Sequence, residues 1–234
     1  ALGYISPAVR FLPARPDGLE HELWQLVTGG ITPGRRLQAF RQYVSLAESE
    51  QAAAQLYQIW EKRELEGKPL SERDEINLSY QLAIRLPEKA DEIVNEQLKR
   101  ISNPDRQAEY RFISPSVSPR KEVRDSVFEA LLVADNRRIE PWASTALSLL
   151  NHRLREAESV EYIRPALEIL EEVQRTGDIF FPTAWLRALL GGHSSVQARD
   201  EVEAFYAEYP DFPEMLLNKI RQQADHLYRL HAGE

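Results

Sequence analysis

The stretch "LEHELWQL", Leu19 to Leu26, opens like a zinc-hydrolase helix. In H-E-x-x-H, two histidines four residues apart share one helix face and grip a metal, while the glutamate activates the bound water. Here His21 and Glu22 occupy the first two positions, but Gln25 stands where the second histidine belongs. A third, glutamate ligand supplied by a later helix would fall, at the usual spacing, on Val44, which binds no metal. The plainer reading is an amphipathic helix with Leu19, Leu23 and Leu26 on its buried stripe.

The other reactive residue types give equally incomplete arrangements. The five histidines are His21, His152, His193, His226 and His231. No two stand three or four apart, and at a separation of five His226 and His231 point to different helix faces. They read as capping, packing or surface side chains. "GGHSS" (191–195) places Gly, His and Ser together, yet a nucleophile elbow needs G-x-S-x-G between a strand and a helix. Punctuation explains it better: Gly191-Gly192 ends one helix, and Ser194 with Gln197 forms a capping box for the next. No residue of this chain is therefore assigned a catalytic or metal-binding role.

Two stretches remain unusual. "TGDIFFPTAW" (176–185) sets Phe180 and Phe181 before Pro182, close to Trp185. Adjacent aromatics project in different directions, so one can be core while the other faces a groove or another domain; a packed helix corner explains the pair equally well. "DNRRIEPW" (135–142) gathers Arg137, Arg138, Glu140 and Trp142 at one helix start. Such a cluster can recognise a carboxylate or make an interdomain ion pair, and a solvated turn beside a buried tryptophan accounts for it too.

The elements that would position these residues are helices. "DGLEHELWQLVTGG" has Asp17 as N-cap, Glu20 three later, and Gly29-Gly30 as its stop. Thr32 and Pro33 start a second helix, and Ser49 starts a third that runs to Gly67 with Leu56, Ile59, Trp60 and Arg63 at helical spacing. Ser71 with Asp74 opens a fourth, and Pro87 opens a fifth. These form a helical first part, residues 17–101. "ISNPDRQAEYRFISPSVSPRK" carries three prolines and several serines, which reads as a connector over about 102–119 with one short helix around Arg106 to Phe112. The second helical part, 120–232, begins with Val123, Val127, Phe128, Leu131 and Leu132 on one broad apolar face. Short connections make successive helices antiparallel neighbours, so the expectation is an all-α fold, a single domain of about a dozen helices in a curved α-solenoid. There is helix-pair cadence without a residue-level repeat.

Composition sets the outer limits. The 234 residues are 43% hydrophobic and 28% charged, enough for a substantial core in a globular chain. A net charge of −8, with glutamates interleaved among the basic residues of "RKEVR" (120–124), argues against nucleic acid as a partner. Without cysteine there is no disulfide, thiol nucleophile or thiolate metal site. No apolar run approaches the roughly 20 residues of a membrane span. A soluble chain is expected, with cytoplasmic, periplasmic and secreted locations all open. The opening "ALGYIS" lacks Met and the sole Met is Met215, as in a processed or excised piece; loss of an initiator Met before Ala1 reads the same way.

"NRRIEPWASTALSLLNHRLR", "YIRPALEILEEVQRTGDIFFPTAWLRALLGGHSS" and "PEMLLNKIRQQADHLYR" resemble, in this order, the C-terminal helical domain of aminopeptidase N-like zinc metallopeptidases, the gluzincin aminopeptidases. "EYRFISPSVSPRKEVRDSVFEALL" is similar to the segment preceding them in bacterial members, so the resemblance covers about residues 105 to 230. It implies a HEAT- or armadillo-like bowl that covers the active site and lines a chamber admitting small peptides. It also implies that zinc is held elsewhere, in a preceding catalytic domain of the same polypeptide that carries H-E-x-x-H and a glycine-rich substrate motif, both absent here. Arg138, Glu140, Phe181 and Trp185 are the candidates for chamber-lining or interdomain contact. The rival expectation is a freestanding helical solenoid that scaffolds other proteins.

Overall fold

The computed structural model describes residues 18–29 and 32–231. The fold is all-α, and among the described residues the strands form one hairpin of two residues each. The chain divides into two compact units that meet at Asn103 and Pro104.

The first unit contains α1 (Leu19–Thr28), α2 (Pro33–Leu46), α3 (Glu50–Lys62), α4 (Glu72–Arg85) and α5 (Ala90–Arg100). Several starts follow the local chemistry. Ser49 accepts the Ala52 N–H, and Ser71 accepts the Asp74 N–H while its hydroxyl donates to the Asp74 carboxylate. Pro33 occupies the first turn of α2, where its missing N–H costs nothing. The expected cap Asp17 and stop residue Gly30 lie outside the described residues. On α1, Leu23 and Val27 are buried, whereas Leu26 is exposed, so the stripe continues through Val27 and not Leu26.

Helix α3 stops earlier than the sequence suggested. Arg63 turns left-handed at φ 58°, and Glu64–Leu65 pairs antiparallel with Lys68–Pro69. Glu66 and Gly67, both at positive φ, make the two-residue turn. Gly67 is thus a hairpin residue and not a helix terminator. The core of this unit joins Leu23, Phe40, Tyr43, Leu56, Trp60, Leu78 and Ile93. Trp60 is polar at one end and donates Nε1–H to Gln97 Oε1 at 2.7 Å, both buried.

The second unit begins with α6 (Pro104–Ile113) and continues through α7 (Lys121–Leu132), α8 (Glu140–Leu150), the one-turn α9 (Glu156–Ser159), α10 (Ile163–Glu168) and α11 (Leu170–Thr176). Then follow α12 (Phe181–Leu190), α13 (Val196–Glu208) and α14 (Glu214–Leu230). The stretch read as a connector is core-forming: Tyr110, Ile113 and Val117 are all buried. Their i, i+3, i+7 spacing is a helical stripe, partly masked by the flanking prolines. On α7 the apolar face is narrower than expected, since Arg124 is buried and Val123 only half-buried.

Helix α12 is the central rod of this unit. It packs on α8, α10, α11 and α14, so here the packing joins helices far apart in sequence and not only consecutive ones. Seven of its ten residues are buried, including Phe181 and Trp185. Trp185, fully enclosed, donates Nε1–H to the Ala166 carbonyl at 3.1 Å. After α12 the chain passes so close to the end of α8 that a Cβ on Gly192 would sit 1.7 Å from the Asn151 carbonyl oxygen. Gly192→Ala is therefore expected to destabilise the protein by at least about 2 kcal/mol. Gly34→Ala, at a helical position with nothing within 4 Å of the new Cβ, should stabilise it by about 0.5 kcal/mol. Denaturant unfolding of the two variants checks the opposite signs.

Candidate functional site

The motif that opened the sequence question lies on the surface of α1. His21, Glu22 and Gln25 are exposed, and the Gln25 amide is hydrogen-bonded to His21 Nε2 at 2.7 Å, one turn apart. Val44 is buried in the core of its unit. Among the described residues no group of three or more His, Asp or Glu is placed to hold a metal ion. Nor, among them, is any helix long and apolar enough to cross a membrane.

The four residues singled out for chamber or interdomain contact separate into different roles. Phe181 and Trp185 are core side chains, 2% and 0% exposed, with their rings in an edge-on contact at 6.0 Å. Neither reaches a surface of this chain. Arg138 is exposed and paired with exposed Asp135, a contact of little energetic weight. Glu140 is structural: its Oε1 accepts the Asp178 N–H at 2.8 Å. Asp178 in turn accepts the Phe180 and Phe181 N–H groups on Oδ1 at 2.6 and 2.9 Å, which holds the turn that leads into α12.

The point where the turn becomes helix decides which phenylalanine is buried. With Phe181 as the first helical residue facing the core, Ile179 and Phe180 are turned outward, 77% and 76% exposed. The corner is tied to two other helices. Glu140 holds it from α8, and Lys219 of α14 donates to the Ile179 carbonyl at 3.4 Å. The exposed apolar side chains of "TGDIFFPTAW" are therefore Ile179 and Phe180. Aromatic content located the stretch, and the helix start was needed to choose between neighbours.

A second constellation forms at the other end of α12, on the loop Gly191–Ser195. Residues 33 or more apart in sequence converge there. Glu156 Oε1 accepts the Ser194 and Ser195 N–H groups, each at 2.6 Å, and Oε2 accepts the Ser194 hydroxyl at 3.0 Å. His226 and His231 of α14 donate Nε2–H to the carbonyls of His193 and Ser194 at 3.0 and 2.8 Å. The start of α13 moves by one residue from the expected capping box: Ser195, not Ser194, accepts the Ala198 N–H, and Gln197 is exposed.

His193 lies at the centre, with its side chain fully enclosed. Asn151 donates its amide N–H to the Leu147 carbonyl, so its Oδ1 faces His193 Nε2 at 2.8 Å and accepts a hydrogen bond from it. That tautomer leaves Nδ1 a bare lone pair. It has no hydrogen-bond partner and stands 3.8 Å from Glu156 Oε1. Burial pushes the His193 imidazole down to about 4, with the Glu156 charge opposing and His226 assisting. Burial alone would raise the Glu156 carboxyl; the donors of Ser194 and Ser195 hold it below the usual carboxylate range. At neutral pH the site is one carboxylate facing a neutral ring. It offers hydrogen bonding and charge but no assembled nucleophile or metal.

No protein-family model, curated protein or solved structure matches the chain.

Glu156→Ala removes the acceptor for two backbone amides and a hydroxyl at the start of α13. A loss of about 2–3 kcal/mol of stability is expected, measured by denaturant unfolding at pH 7.

Proposed function

We propose that this chain is the non-catalytic C-terminal helical domain of an aminopeptidase N-like zinc metallopeptidase. In this reading it covers the active site and helps enclose the chamber through which peptides pass. Zinc, with the glutamate that activates its water, belongs to a preceding catalytic domain of the same polypeptide. The chain's own task is then binding and exclusion: it restricts which peptides approach and how they are oriented.

The stretch "TGDIFFPTAW" carries the reading. It lies within the ordered phrases that resemble this family, and it places two large apolar side chains on an outward corner whose backbone is held by Asp178, Glu140 and Lys219. Exposed apolar groups on a fixed backbone suit docking against another surface, because little conformational entropy is lost on contact. Arg138, 77% exposed and paired with Asp135, lies two residues before Glu140, which holds the corner. Phe181 and Trp185 support that corner from within the core.

The test compares the 234-residue chain with the full-length polypeptide, each carrying Ile179→Ser and Phe180→Ser. In the short chain the melting temperature should move by less than about 2 °C, since both positions are solvent-facing. In the full-length enzyme the substitutions should change the preference among peptides of different length and speed proteolytic cleavage between the domains. Unchanged preference together with unchanged cleavage would mean that this corner meets no other domain. The unmodified short chain should cleave no aminoacyl reporter substrate, and one zinc per chain surviving a chelator wash would overturn the assignment of zinc to another domain.

A further inference from the structure

We propose that the Gly191–Ser195 loop is an acid-released latch: uptake of a proton by His193 opens the loop and frees the last turn of α14 from it. The geometry has three parts. First, the loop is fastened by polar contacts from three directions: Asn151 at the end of α8, Glu156 on α9, and His226 and His231 on α14. Second, the bond from His193 Nε2 to Asn151 fixes the tautomer, so the second ring nitrogen faces Glu156 Oε1 at 3.8 Å with no proton between two electron-rich atoms. Third, the ring is fully enclosed, so a proton on it places charge away from solvent, with only Glu156 Oε1 facing Nδ1.

The groups around it set the direction of the response. Glu156 faces Nδ1 and attracts a proton, but both of its oxygens already serve Ser194 and Ser195. His226 lies against the His193 carbonyl, and its charge opposes protonation of His193. His231 donates to the Ser194 carbonyl, and the Arg153 backbone borders Gly192. Asn151 is neutral. A proton on His193 thus sits in an enclosed ring beside one carboxylate that is already engaged. In the open loop His193 takes its proton in water, where the charge is solvated.

The sign follows from linkage. His193 in the closed loop binds a proton only near pH 4, whereas in an open loop it binds one near its ordinary value of 6.5. The closed form is therefore fully favoured above pH 6.5 and loses ground as pH falls toward 4. No bond is made or broken in the chain beyond hydrogen bonds, and the proton comes from solvent.

Amide hydrogen exchange on the 234-residue protein at pH 7 and pH 5, each rate divided by the intrinsic rate at that pH, tests this. Protection of Ser194, Ser195 and residues 228–231 should fall about twentyfold between the two, as follows from proton binding near 6.5 in the open loop and about 4 in the closed one. Protection of Leu147 and Leu167, in the core of the same unit, should fall less than threefold. His193→Gln, which keeps a donor for Asn151, should abolish the selective loss. The wild-type profile is decisive even if that variant folds poorly. An equal fall at all these amides means global acid unfolding and overturns the latch, as does no fall at the loop. A selective loss that persists in His193→Gln overturns the assignment to this residue.

Discussion

Every helix ends with backbone groups that have no partner inside the helix, and a chain built from many helices on short loops has many such ends to satisfy. In this protein they are met over long distances by charged side chains of the appropriate sign. Glu20 accepts the N–H groups of Glu48 and Ser49 ahead of α3, and Glu72 accepts that of Ser102. Glu140 accepts that of Asp178 ahead of α12, and Glu156 those of Ser194 and Ser195 ahead of α13. Each of these glutamates also sits in the first turn of its own helix. One negative charge therefore lies near two positive helix ends, where both macrodipoles favour it.

The opposite ends are served by arginines. Arg85 donates to the carbonyls of Val44 and Ala47 at the end of α2, and Arg100 to that of Trp60 near the end of α3. Arg137 donates to Leu131 at the end of α7, and Arg155 to Val117. Three of the arginines, Arg124, Arg137 and Arg155, are buried. Burying guanidinium is expensive, and burial together with the charge of Arg124 lowers the Arg155 group to about 10. It stays charged at neutral pH because carbonyl oxygens take up its donors. Such pairings are directional, whereas apolar packing is not. They specify which helix end meets which, a requirement for a helical array with no sequence repeat to impose register.

How much of this was legible in the sequence follows from the range of each interaction. Ser49, Ser71 with Asp74, and Pro33 act within one turn, and their positions were readable directly. The all-α class follows from summed periodicity, which tolerates local error. The hairpin at Glu66-Gly67 was not readable as such, because a glycine after a helix signals a stop more often than a turn between strands of two residues. Leu26 and Val27 are both apolar neighbours, and only the packing partner decides which one faces inward. The loop at His193 was least accessible. Asn151, Glu156, His193 and His226 lie 33 to 42 residues apart in their pairings, and no local spacing rule spans that interval.

The two places where the second unit departs from ordinary helix packing lie at the two ends of α12. Before it stands the corner with Ile179 and Phe180 exposed; after it stands the loop that encloses His193. Both are loops whose backbone amides are held by a glutamate, Glu140 in one case and Glu156 in the other. Both also take a contact from α14, through Lys219 and through His226. Between them Trp185 anchors the rod, hydrogen-bonded to Ala166 and with the Arg137 guanidinium 5.6 Å from its ring centre. A close-packed helix of this kind does not bend gradually; its side chains either keep their places or repack. The exposed corner and the histidine loop are consequently positioned by one element. Their geometry depends on the same buried tryptophan, although neither contains it.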